Sequence, residues 1–90
     1  MIKILFYGPL ARITEKKIIE VEASTIKEAF EKLTLKYGDR LKTRLYDDSG
    51  KPRRFINIYV NGKDIRYLNN LETSVKEGDA VSIIPSVTGG

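Results

Sequence analysis

With no cysteine and no histidine in its 90 residues, the chain lacks thiolate and imidazole chemistry, so neither a disulfide framework nor a thiolate metal site is open to it. Its most reactive stretch is the last one, Pro85-Ser86-Val87-Thr88-Gly89-Gly90. Glycine at both final positions removes every side-chain atom near a carboxyl carbon and lets the backbone pass a narrow channel. A free carboxylate is a poor acyl donor because oxide would have to leave. Attack on the α-phosphate of ATP converts it into an acyl-adenylate, which reacts. The chain has no glycine-rich phosphate loop with a lysine and no evident magnesium site. It is therefore expected to be the substrate and carrier in such a step, with ATP handled by partners and no permanently bound cofactor or metal. The competing reading is a frayed end with no role.

What would position that tail is a single small domain. Ninety residues at 41% hydrophobic content suit one core. No apolar run approaches a membrane span, and MIKILFY is too short for a secretory signal, so a cytoplasmic protein without a membrane partner is expected. Residues 2 to 7 alternate Ile2, Ile4 and Phe6 with Lys3, Leu5 and Tyr7, the period of a half-buried strand that Gly8-Pro9 ends. Residues 17 to 23 repeat the pattern. Thr25-Ile26-Lys27-Glu28 has the form of a capping box, and Ile26, Ala29, Phe30, Leu33 and Tyr37 follow at helical spacing up to Gly38.

Residues 38 to 54 read as an ordered polar connection with a mobile tip, in which Leu41, Leu45 and Tyr46 dock a short turn. From Lys36 to Arg54 the chain holds seven basic residues against three acidic ones, which accounts for the whole net charge of +4. Residues 55 to 60 form a strand, Asn61-Gly62 suits a type I′ hairpin turn, and a short return strand covers 63 to 66. Residues 80 to 84 form the last strand, which Pro85 closes. One helix across a mixed sheet in this order is α+β, with a ubiquitin-like β-grasp as the first choice. The division expected is a domain over 1–84 and a flexible tail over 85–90, which if extended reaches roughly 20 Å.

On these residues the chain resembles the MoaD family, the small subunit of molybdopterin synthase, which groups with ThiS-type and ubiquitin-like sulfur carriers. The residues that carry the resemblance are MIKILFY, the helix start at Thr25, Val60-Asn61-Gly62, Glu77-Gly78-Asp79-Ala80-Val81 and the terminal Pro85 to Gly90. It implies that Gly90 is adenylated by a ubiquitin-activating-type adenylyltransferase, becomes a thiocarboxylate, and donates sulfur for the dithiolene of molybdopterin inside the large synthase subunit. Gly89 would give the slim approach. Ser86 stands where the family usually has a second proline, which leaves the tail less stiff.

Docking to such partners needs an apolar patch beside the tail. Strand alternation turns Tyr7 and Ile84 outward, at positions where the family makes its partner contacts. Ile65, Pro85 and Val87 extend the patch, and Arg12 could pair with an acidic site on the activating enzyme. Two rival classes stand beside this reading. The same activated Gly90 could be joined to lysines of other proteins, or serve thiazole synthesis or tRNA thiolation. The basic 36 to 54 segment could be a nucleic-acid footprint, disfavoured because its few aromatics, Tyr37, Tyr46 and Phe55, read as core or strand residues.

Overall fold

The computed structural model describes residues 1–86. Its elements are β1 (Ile2–Phe6), α1 (Pro9–Thr14), β2 (Ile18–Val21), α2 (Ile26–Tyr37), α3 (Asp39–Leu45), β3 (Ile56–Val60), β4 (Lys63–Asp64) and β5 (Ala80–Pro85), with 3₁₀ turns at Ile65–Tyr67 and Asn70–Glu72. The strands form one sheet in the order β2-β1-β5-β3-β4. β1 pairs parallel with β5, and every other pairing is antiparallel. This is the β-grasp arrangement, with the last strand of the chain in the middle of the sheet.

One face of the sheet is the core. Ile2, Ile4 and Phe6 of β1, Ile56, Ile58 and Val60 of β3, and Val81 and Ile83 of β5 are buried against Ile26, Ala29, Phe30 and Leu33 of α2. The capping box forms with one change. Thr25 Oγ1 accepts from the Glu28 N–H at 3.1 Å, while the Glu28 carboxylate accepts from the N–H of Ser24 at 2.6 Å instead of that of Thr25. The Ser24 N–H first, and then the Ser24 hydroxyl, hold the Glu28 carboxyl below its usual pKa.

Two helices were not expected. Pro9 does not merely end β1; it opens α1, where its fixed φ and missing N–H suit a first helical position. Residues 39–45 are a helix instead of a turn, and Leu41 and Leu45, four apart, are both fully buried. Gly38, at φ 71°, ends α2 and starts α3, a conformation that a side chain would resist. The following loop is closed by the Asp47 carboxylate, which accepts from the N–H groups of Ser49 and Lys51.

The hairpin at Asn61-Gly62 has φ of 51° and 87°, as a type I′ turn requires. It also sets the register of β5. Asn61 Nδ2 donates to Asp79 Oδ1 at 3.0 Å, Asn61 Oδ1 accepts from the Ala80 N–H at 2.9 Å, and Asp79 Oδ2 accepts from the Lys76 N–H at 2.9 Å. The Asn61 bond, then the Lys76 amide, hold the Asp79 carboxyl below its ordinary value.

Two outcomes follow for stability. Leu41→Ala is expected to cost about 2–5 kcal/mol by removing buried methyls from a helix with only two anchors, measured by urea denaturation. Asp79→Ala is expected to cost about 1–3 kcal/mol. Because Asp79 is more acidic folded than unfolded, its contribution is complete above pH about 4 and is lost as pH falls below that. A urea series from pH 7 to pH 3 on wild type and Asp79→Asn therefore shows a shallower acid-side fall in the variant.

Candidate functional site

Because β5 is flanked on both sides, its end is held. Pro85 pairs with Ile56 inside the strand, and the Ser86 N–H donates to the Phe55 carbonyl at 2.6 Å. Pro85 is thus the last strand residue and not the first tail residue. The position tolerates it because antiparallel alternation between the Phe55–Ser86 and Asn57–Ile84 pairs leaves position 85 with no bond to donate to β3, and the pairing with β1 has ended at Ile83. Val87, Gly89 and Gly90, assigned to the tail, lie outside the described residues. Four residues beyond Ser86 can span at most roughly 13 Å, shorter than the reach expected when Pro85 and Ser86 were counted with the tail.

The sheet face away from α2 surrounds this end. Strand register lines up Ile18, Leu5, Ser82, Tyr59 and Asp64 across all five strands. One row nearer the tail, Ile84 pairs with Asn57, and Tyr7 lies one step past the Phe6–Ile83 pair. Ile18 is 54% exposed and Tyr7 43%, and Ile84 is half-buried. Tyr7 and Ile84 therefore share the outward face, as alternation implies. Ile18 joins them, a residue legible as outward but not singled out.

Ile65 does not belong to this surface. It is buried in the core, because Asp64 lies in the outward row and the next residue, at the start of the 3₁₀ turn, faces the opposite way. Arg12 is exposed, on the last turn of α1 and not on the sheet face. Tyr37, Tyr46 and Phe55 are half-buried and packed against the core, so the basic segment presents no aromatic stacking platform through them.

The β3–β4 side of the same face is polar and cationic. Arg66 Nε donates to Asp64 Oδ1 at 3.1 Å, and Nη2 donates to Asp64 Oδ2 and to Asn57 Oδ1, both at 2.7 Å. The Asp64 carboxylate also caps the 3₁₀ turn by accepting from the Arg66 N–H at 2.8 Å. The Arg66 side-chain bonds, more than the backbone one, draw the Asp64 pKa down, and Asp64 in turn raises that of Arg66. Beside this cluster runs an open groove of about 1240 Å³ that includes Lys51, Arg53, Arg54 and Ser86 in its walls. No three acidic, cysteine or histidine side chains converge to hold a metal among the described residues, and no helix among them is long and apolar enough to cross a membrane. The arrangement sets the end of β5 beside a face that is apolar on one side and cationic on the other.

Comparison with known proteins bears on what uses such a face. The model of the ThiS family matches residues 4–90. The sulfur carrier protein CysO of Mycobacterium tuberculosis is 38% identical over 77 residues, 83% of this chain and 82% of the relative. Among solved structures, the BexX/CysO complex of Amycolatopsis orientalis superimposes with a TM-score of 0.87 at 33% identity, covering all of both chains. Small archaeal modifier protein 1 of Methanosarcina acetivorans gives a TM-score of 0.91 at 27% identity, covering 99% of this chain and 95% of the other.

The turn that shapes the tail's surroundings gives a direct test. Gly8 has φ 61° and ψ −137°, a region open to glycine alone, and a methyl added there would stand 4.0 Å from Pro85 Cγ, so space is not the obstacle. Gly8→Ala is expected to cost about 1–3 kcal/mol through backbone strain, measured as a lowered urea midpoint with an unchanged m-value.

Proposed function

Because the chain belongs to the ThiS family of ubiquitin-like sulfur carriers, we propose that it carries sulfur on the carboxyl group of Gly90. A Gly90 carboxylate oxygen attacks the α-phosphorus of ATP in a partner's active site, releasing pyrophosphate and leaving an acyl-adenylate. Sulfide, delivered by a donor that the partner recruits, attacks the acyl carbon; the C–S bond forms, the C–O bond to AMP breaks, and a thiocarboxylate results. Its sulfur then displaces a leaving group from an electrophilic carbon of the acceptor, the C–S bond forming as the bond to that group breaks, and hydrolysis of the acyl–sulfur bond leaves the sulfur on the acceptor and returns the carboxylate for another cycle.

The observation that supports this most is the placement of β5. A central strand, paired on both sides as far as Ile83 and held on the β3 side through Ser86, leads to the tail beside the surface of Ile18, Tyr7 and half-buried Ile84. The chain's own residues supply rigidity, a docking face and a reactive end that no side chain obstructs. For the acceptor we take the pyranopterin precursor of molybdopterin, held in the large synthase subunit, on the MoaD-like motifs of the sequence. The adenylating partner is of the ubiquitin-activating type. A second reading, attachment of Gly90 to protein lysines, draws support from the likeness to a small archaeal modifier protein. The two differ only in whether sulfide or an amine attacks the activated carbon.

Intact and peptide mass spectrometry of the untagged protein from its source cells tests this. The expected result is a chain that ends at Gly90, with a fraction in which one carboxyl oxygen is replaced by sulfur. Gly90 found only in branched peptides on lysines would favour the modifier reading. Gly90 always as plain carboxylate, or buried within a longer chain, would overturn both. For the acceptor, the thiocarboxylated protein mixed with the large subunit and pyranopterin precursor is expected to yield dithiolene and regenerated carboxylate.

A further inference from the structure

The guanidinium of Arg66 is held more firmly than an exposed arginine needs to be. Of its five N–H donors, those on Nε and Nη2 are used by Asp64 and Asn57. The two on Nη1 have no partner among the described residues, and the side chain is 56% exposed. An exposed ion pair of this kind contributes little to stability. Its effect is geometric: a planar fork is fixed in place with one edge bound internally and the other presented to solvent.

Its location matters as much as its order. Asn57, which receives one of the Arg66 bonds, is the direct cross-strand neighbour of Ile84, so the free edge lies within two strands of the tail's root. Lys51 and Arg54 line the adjoining groove and form no ion pair among the described residues. Tyr67, next in sequence to Arg66, is 81% exposed. A partner that receives Gly90 must approach this end closely, since the chain beyond Ser86 reaches only roughly 13 Å.

We propose that Arg66, clamped by Asp64 and Asn57, is a specificity-determining residue of the sheet face and pairs through Nη1 with a carboxylate that the adenylating partner presents beside an apolar surface. This rests on the carrier reading above and deepens it by naming what the partner's docking surface must carry. The occupant is set by charge complementarity. The β3–β4 corner is cationic, since Lys51, Arg53, Arg54 and Arg66 line its groove against Asp64, already committed to Arg66, and Glu72, and the β2–β1–β5 side is apolar, so the matching surface is acidic at one edge and apolar at the other. The clamp adds affinity because the order of a long side chain is established before the partner arrives. Lysine would keep the charge but lose the fork that faces Asp64, Asn57 and the partner together.

The test is ATP–pyrophosphate exchange with the adenylating enzyme of the same organism, with the carrier's concentration varied, for wild type, Arg66→Gln, Arg66→Lys, Asp64→Asn and the remote surface control Leu35→Ala. The expected result is a KM raised about tenfold by Arg66→Gln with kcat unchanged, a smaller rise for Arg66→Lys and Asp64→Asn, and wild-type behaviour for Leu35→Ala. Raised salt should weaken the wild type more than Arg66→Gln. Thermal melting of each variant accompanies the kinetics, and a wild-type melting point for Arg66→Gln is part of the expected result. An unchanged KM for Arg66→Gln, with wild type still activated, overturns the role of Arg66 alone. A fall in kcat together with a lowered melting point overturns it in favour of a structural role. Salt-sensitive binding of total RNA that Arg66→Gln abolishes while KM holds overturns it in favour of nucleic acid. No activation of the wild type overturns the carrier reading and this proposal together.

Discussion

The parallel pairing of β1 with β5 is the constraint on which the rest of the structure depends. It joins the first strand of the chain to the last, from Lys3–Ala80 to Phe6–Ile83, and places β5 between β1 and β3. A strand in that position is bonded on both edges, so its direction and register are fixed well before the tail begins. Parallel neighbours cannot be joined by a tight turn. The intervening residues supply α2 as the cover for the sheet, and β2, β3 and β4 as its remaining strands. Contacts between the two ends of the sequence also make the pairing late and costly in chain entropy. The polar bonds among Asn61, Lys76, Asp79 and Ala80 offset part of that cost, by fixing where β5 starts relative to the β3–β4 hairpin.

Much of this was legible in the sequence because local signals and the final fold agree. The Thr25 cap, the 3.6-residue spacing from Ile26 to Tyr37, the Asn61-Gly62 turn and the alternation in β1, β3 and β5 all act within a few residues, and each survives in the structure. The missed elements carried signals that compete with one another. Pro9 reads equally as a strand stop or a first helical residue, and only Leu10 and Thr14, four apart and both buried, decide for the helix. In α3 the apolar content is two leucines among charges, too little for a periodicity, yet both are fully buried.

Within the candidate site, legibility ended where side chains from distant segments meet. Strand alternation placed Tyr7 and Ile84 outward. Adding Ile65 to that patch ran against the same rule, because Asp64 lies in the outward row and its neighbour therefore faces inward, where the 3₁₀ turn keeps it buried. Nothing in the sequence ties Arg66 to Asn57, nine residues before it in another strand. Their contact exists because the two-residue hairpin folds β4 back beside β3 and the Asp64 carboxylate then caps the turn that carries Arg66. A pattern argument reads elements; a site built across two of them needs their register.

On the carrier reading, the same geometry makes demands on the docking surface. A tail that spans at most roughly 13 Å beyond Ser86 ties the reacting atom to the docking face, so the partner must bind the face and the tail at once. The longer and looser the root, the more chain entropy the docked state gives up. Holding β5 through Ser86 removes two residues from that loss, and leaves only the glycine-ended segment to be ordered by the partner's channel. Affinity then has to come from the sheet. An apolar surface alone would accept many partners, whereas an oriented guanidinium beside it rejects any surface that leaves its free N–H groups unpaired. On the proposed reading, division of the face into an apolar side at β2, β1 and β5 and a cationic side in the segments that flank β3 and β4 gives so small a domain a means of selective docking.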